Sequence, residues 1–143
     1  MRASHGFTLI ELLVVIALIA IGTAAVSFSL RDSAQTVLER DAERLAALFE
    51  SARARSRASG MPVKWYPQTT DNNSSGFVFD GLPTHTLPGK WLSPQIQVAP
   101  NSLVILGPDP IIGPQSVKLR MRDSQLWVST DGLKPFAVRR AAP

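Results

Sequence analysis

The sequence predicts an α+β fold. One long N-terminal helix, apolar all round in its first half, packs through its second half on an antiparallel β-sheet or β-sandwich domain. Three observations carry this reading. Residues 12–30 contain no charge. Residues 31–59 contain neither Pro nor Gly, and apolar side chains recur there at helical spacing. Beyond Gly60 prolines concentrate, and short runs of alternating polarity replace the helical pattern.

Roughly 19 uncharged residues, rising about 1.5 Å each in a helix, cover most of a bilayer's hydrocarbon core. Residues 7–30 are therefore expected to form a transmembrane segment, preceded by a short polar leader at 1–6. Within the apolar run stands one carboxylate, Glu11, four residues after Phe7. A charge inside a membrane segment costs about 3 kcal/mol on insertion scales, so it has a partner or reaches water. Glu11 could reach water at the membrane interface. Alternatively, a cut between Gly6 and Phe7 would create a positively charged amine at Phe7 for Glu11 to pair with. Low dielectric strengthens such a pair, although each ion also loses hydration. Gly22, Ala24 and Ala25 interrupt the large aliphatics, either as a surface for close helix approach or as tolerated small residues.

In residues 31–59 Leu38, Leu45, Leu48, Phe49 and Ala52 share one face. Arg40, Glu43, Arg44, Glu50 and Arg53 are expected on the other. Asp41 with Arg44 and Glu50 with Arg53 stand at i, i+3, worth a few tenths of a kcal/mol each. Arg53, Arg55 and Arg57 crowd the helix end, where the macrodipole favours cations. They read as a solvated helix end or as an anion contact. Gly60 and Pro62 stop the helix. A single helix of about 50 residues from Phe7 to Ser59 follows.

Strands are expected at 63–66 and 77–79, joined by a polar, mobile loop at 68–76. Ile96 and Val98 alternate with glutamines, and 103–106 reads as a buried strand. Val117, Leu119 and Met121 alternate with Lys118, Arg120 and Arg122. After a turn at Asp123-Ser124, Leu126 and Val128 continue the pattern as the second arm of a hairpin. Thr130-Asp131-Gly132 makes the next turn, and Phe136 and Val138 belong to a last strand that Pro135 keeps at a sheet edge. No helix remains after Gly60 for parallel crossovers, so the sheet is antiparallel.

Gly6-Phe7-Thr8-Leu9-Ile10-Glu11 followed by an apolar run resembles the class III signal of type IV pilins and type II secretion pseudopilins. The resemblance implies cleavage by a prepilin peptidase between Gly6 and Phe7, N-methylation of Phe7, and pairing of Glu11 with the Phe7 amine of an adjacent subunit. A Sec-type signal fits less well, because its cleavage site should follow the apolar core. A second set of residues, 106–114 with Val117-Lys118-Leu119 and 130–136, resembles the carboxy-terminal part of H-type minor pseudopilins (GspH), a domain shared with some minor pilins. Together the two imply a pilin-like fold divided into leader 1–6, transmembrane and assembly helix 7–30, amphipathic periplasmic half-helix 31–59 and periplasmic β domain 60–143.

The chain has no cysteine, so thiolate metal sites and disulfides are excluded. Apart from His5 in the leader its one histidine is His85, and Asp71, Asp80, Asp109 and Asp131 are scattered without metal-cage spacing. No catalytic residue, metal ligand or cofactor site is expected, and the resemblance implies a structural subunit. Arg2 and His5 precede the apolar run, so the positive-inside rule puts the N-terminus in the cytoplasm and the residues after Leu30 outside, which the resemblance makes the periplasmic side of a bacterial inner membrane. Implied partners are the other minor pseudopilins, the major pseudopilin, the prepilin peptidase, inner-membrane lipid, and the secretin or secreted substrate. The formal charge of +4 is too mild to indicate nucleic acid by itself. A rival reading remains: a minor pilin of a type IV pilus that binds DNA through Lys118, Arg120, Arg122, Lys134, Arg139 and Arg140. A single-pass anchor carrying an unrelated domain is the third.

Overall fold

The computed structural model describes residues 8–69 and 75–143, with the side chains of 24–33 and of Thr69 outside that description. The chain divides into two compact units, Met1–Ser33 and Ala34–Pro143. One helix, α1 (Leu9–Ser59, 51 residues), contributes to both.

In the first unit every described side chain from Thr8 to Thr23 is exposed. Among the described residues no helix is long and apolar enough to cross a membrane. Residues 8–23 would cover only about 24 Å of a hydrocarbon core about 30 Å thick. The transmembrane expectation for 7–30 therefore extends past them, onto Phe7 and onto side chains outside the described residues.

The second unit is built on the C-terminal half of α1. Ala34, Leu38, Ala42, Leu45, Phe49 and Ala52 are buried at spacings of three and four, one stripe of the helix. The alanines let strands approach closely while Leu38, Leu45 and Phe49 fill the space between. Phe49 is the hub: its ring meets Trp65 at 5.2 Å and Phe136 at 4.8 Å, both edge-on. The helix stops at Gly60, whose φ of +68° suits a residue without Cβ.

Among the described residues seven strands follow, all paired antiparallel. β1 (Lys64–Thr69), β2 (Ser75–Asp80) and β4 (Val104–Ile105) form a sheet in the order β2-β1-β4. β3 (Gln97–Val98), β5 (Gln115–Met121), β6 (Ser124–Thr130) and β7 (Ala137–Arg139) form a second sheet in the order β3-β5-β6-β7. Both sheets and the helix share one core, to which Val63, Trp65, Val104, Val117, Leu119 and Val128 contribute fully buried side chains. The α+β expectation holds in this form: a helix on antiparallel sheets.

Four local expectations are corrected. The β5–β6 hairpin turns at Arg122-Asp123 rather than Asp123-Ser124, because the ladder runs on to Met121↔Ser124. Arg122 accepts a φ of +52° to make the turn. The polar loop expected at 68–76 is shorter, since β1 and β2 stay paired to Thr69↔Ser75; residues 70–74 lie outside the described residues. The strand expected to be buried at 103–106 alternates instead: Val104 and Leu106 are buried, Leu103 and Ile105 exposed, as suits an edge strand. Arg53, expected on the solvent face of the helix, is 5% exposed.

Candidate functional site

The candidate site is the start of α1. Thr8 lies just outside the helix and caps it. The Glu11 N–H donates to the Thr8 carbonyl at 3.1 Å and to Thr8 Oγ1 at 3.3 Å. The Leu12 N–H donates to the same carbonyl at 3.3 Å. Glu11 stands in the first turn, where unpaired N–H groups concentrate the positive end of the helix dipole. Thr8-Leu9-Ile10-Glu11 is thus a Thr-x-x-Glu start signal, which the apolar surroundings hid from the sequence reading. The Glu11 side chain is exposed, as are the surrounding Leu9, Ile10, Leu12 and Leu13. Gly6 and Phe7, the expected cleavage and methylation positions, lie outside the described residues, so no geometry joins Glu11 to Phe7.

Farther along this unit Thr23 Oγ1 donates back to the Ala20 carbonyl at 2.9 Å, which satisfies a hydroxyl otherwise set among aliphatics. A Cβ built on Gly22 meets nothing within 4 Å among the described residues.

In the second unit polar side chains of the helix pin the loops, a role the helical spacing did not reveal. Asp41, 1% exposed, accepts the N–H groups of Leu92 at 2.9 Å and Ser93 at 3.1 Å. It is a loop anchor rather than the i, i+3 partner of Arg44, which donates to the Lys90 carbonyl at 2.8 Å. Glu50 and Arg53 do pair, at 3.4 Å. Arg53 Nη2 also donates to the Pro110 carbonyl, and Glu50 accepts the Phe136 N–H at 3.0 Å. The pair, with Arg53 buried and Glu50 half-buried, thereby fastens both segments singled out in the sequence, 106–114 and 130–136.

These two segments also meet directly. Gly132 has φ +95°, and a Cβ there would collide with the Ile112 carbonyl oxygen. Thr130 Oγ1 accepts the Gly132 N–H and donates to the Lys134 carbonyl. Asp131 Oδ1 accepts the N–H groups of Lys134 and Leu133, and Lys134 Nζ stands 3.7 Å from Oδ2. The Lys134 N–H, then the Leu133 N–H, hold the Asp131 carboxyl below its ordinary value. The turn's residues are accounted for structurally.

Among the described residues no group of three or more His, Cys, Asp and Glu side chains converges on a metal-sized space. His85 sits in a loop with φ +67°. A cleft of about 610 Å³ beside Arg55, Met61, Leu82 and Pro83 carries one cation and no carboxylate, which offers no acid–base pair for catalysis.

No curated protein and no solved structure matches this chain. The family model described as the prokaryotic N-terminal methylation motif matches residues 1–27, the segment that holds Gly6, Phe7, Thr8 and Glu11. The N-terminal segment is thus similar to the prepilin-type signals of type IV pilins and pseudopilins, a likeness that covers residues 1–27 and no more of the chain.

Proposed function

We propose that this protein is a minor pseudopilin of a type II secretion system, a structural subunit at or near the tip of a periplasmic pseudopilus. The observation that carries the reading is the methylation motif over residues 1–27, set at the start of a helix whose described aliphatic side chains from Leu9 to Ile21 are exposed. In this reading the precursor inserts in the inner membrane with its N-terminus in the cytoplasm. Prepilin peptidase cuts between Gly6 and Phe7 and methylates the Phe7 amine. Glu11 then pairs with the Phe7 amine of a neighbouring subunit, and the apolar half-helices of the fibre cover one another. The second unit faces the periplasm and contacts the other minor pseudopilins, with the major pseudopilin below. Fibre growth moves folded substrates toward the secretin. The protein contributes surfaces and performs no chemistry.

Mass spectrometry of membrane-extracted protein tests the first step. The expected mature chain begins at a methylated Phe7. Intact residues 1–6 in assembled material would overturn the proposal. Glu11→Ala is expected to leave cleavage intact and to abolish incorporation into the fibre; unchanged incorporation would remove the role assigned to Glu11. Deleting the chromosomal copy separates secretion from pilus function: loss of protein export supports the secretion reading, whereas loss of DNA uptake with export intact supports the rival minor pilin.

A further inference from the structure

The four strands β3, β5, β6 and β7 contain no Asp or Glu, and their three cations lie on one face. Lys118 and Arg120 alternate with buried Val117, Leu119 and Met121, so both point away from the core. The ladder sets Lys118 opposite Trp127 and Trp127 opposite Arg139, a single row across three strands. Arg120 stands in the next row, between Gln97 and Gln125. Strand geometry puts Lys118 and Arg120 about 7 Å apart, and Lys118 and Arg139 about 10 Å apart. None of the three is in an ion pair among the described residues, whereas Arg53, Lys134 and Arg140 each have a carboxylate partner. Unpaired like charges gathered on a rigid sheet raise one another's energy and lack the screening that a nearby acid gives.

We infer that this face docks a short acidic segment of a partner protein, with two or three carboxylates spaced to meet Lys118, Arg120 and Arg139. Two features select an acidic protein segment over nucleic acid. Lys118 Nζ lies over the Trp127 ring, 5.1 Å from its centre, so the aromatic face that a base would stack on is already occupied by a cation. The face is also short and closed by acids at both ends, Asp123 in the hairpin turn and Asp131 in the turn after β6. A long phosphate chain crossing it would meet those carboxylates, while a compact acidic patch would not. Guanidinium groups at Arg120 and Arg139 suit bidentate capture of carboxylates. The inference stands apart from the pseudopilin reading, since a chain left uncut at Gly6 would present the same face.

The test uses the full chain in detergent and three labelled probes: an octaglutamate peptide, an octaglutamine peptide and a twelve-residue oligothymidylate. Octaglutamate is expected to bind, octaglutamine not, and oligothymidylate more weakly than octaglutamate. Each exposed charge pair contributes modestly, so Arg120→Gln with Arg139→Gln together should weaken octaglutamate binding about tenfold. Arg120→Lys with Arg139→Lys should keep most of it. The control, Arg55→Gln with Arg57→Gln, removes two exposed cations from the helix end and should change binding less than about twofold. Equal loss in the control would reduce the effect to net charge and overturn the inference. So would oligothymidylate binding more tightly than octaglutamate, which would point to nucleic acid, or no binding of octaglutamate at low salt. Circular dichroism melts of all variants should coincide with the parent, since the four substituted side chains are exposed.

Discussion

Asp41 offers the most direct test of how the second unit holds its loops. Its carboxylate is 1% exposed and accepts two backbone N–H groups, Leu92 at 2.9 Å and Ser93 at 3.1 Å. The loop so fixed carries Trp91, 8% exposed, whose ring meets Phe77 edge-on at 4.7 Å. Asp41→Ala leaves both donors without a partner. A hydrogen bond to a charged group contributes about 1.5–3 kcal/mol, and relief of the carboxylate's own desolvation returns part of that, so the net loss should be about 3 kcal/mol. Asp41→Asn keeps one acceptor but turns an NH₂ toward the other N–H, a smaller loss of about 2 kcal/mol. For a folded unit of this size each kcal/mol lowers Tm by about 4 °C, giving shifts of about 12 °C and 8 °C. Near-UV circular dichroism at neutral pH reads the transition, and tryptophan emission should move to the red as Trp91 loosens. A drop of less than about 4 °C for Asp41→Ala, or an Asn variant less stable than the Ala variant, would refute the anchoring role.

Gly132→Ala should destabilise the second unit by about 3 kcal/mol or more, because the residue has φ +95° and its new Cβ would collide with the Ile112 carbonyl; Gly22→Ala, with open space around it, should raise helix content instead. Thermal melts and far-UV circular dichroism check the pair. Asp131 has a carboxyl held below its ordinary 3.8 by the Lys134 and Leu133 N–H groups, so its stabilisation is complete above that pH and disappears as pH falls through the lowered value. Melts of the parent and Asp131→Asn should therefore differ at neutral pH and converge in acid. Gln115 closes the outer edge of β4 by a pair of hydrogen bonds to Ile105, accepting its N–H at 2.7 Å and donating to its carbonyl at 2.9 Å. Gln115→Ala should cost about 1–2 kcal/mol and increase self-association measured by light scattering, because the edge it frees is flanked by exposed Leu103 and Ile105.

Long-period signals made the framework legible. Leu38, Leu45 and Phe49 declared the buried stripe of α1, and Val117, Leu119 and Met121 declared the inner face of β5, because side-chain direction follows backbone period. Contacts between distant segments were not legible. Nothing local separates Asp41 and Arg53, both buried, from Arg40 and Glu43, both exposed on the same helix; the difference is made by loops 50 or more residues away. Ile105 reads as interior by type and lies outside because its strand is an edge. At the N-terminus the reverse holds. Thr8 and Glu11 are local signals, fully visible in the sequence, whose capping geometry was overshadowed by the apolar run that follows.

The exposure of that run is itself an argument about the working state. Ten large aliphatic residues between Leu9 and Ile21 are exposed by 44–81%. Burying one such side chain is worth about 1.5–3 kcal/mol, so covering ten would release on the order of 20 kcal/mol, more than the typical 5–15 kcal/mol net stability of a folded domain. Water alone is therefore not the medium for which this segment was selected. Lipid chains and neighbouring apolar helices would cover aliphatics equally well, and the aliphatics cannot distinguish them. Glu11 can. Hydrocarbon provides no partner for a carboxylate, and the Thr8 cap uses the backbone of Glu11 rather than its side chain. Among the described residues no cation meets that carboxylate, and under the proposed function the Phe7 amine of an adjacent, trimmed chain would bring one to that depth.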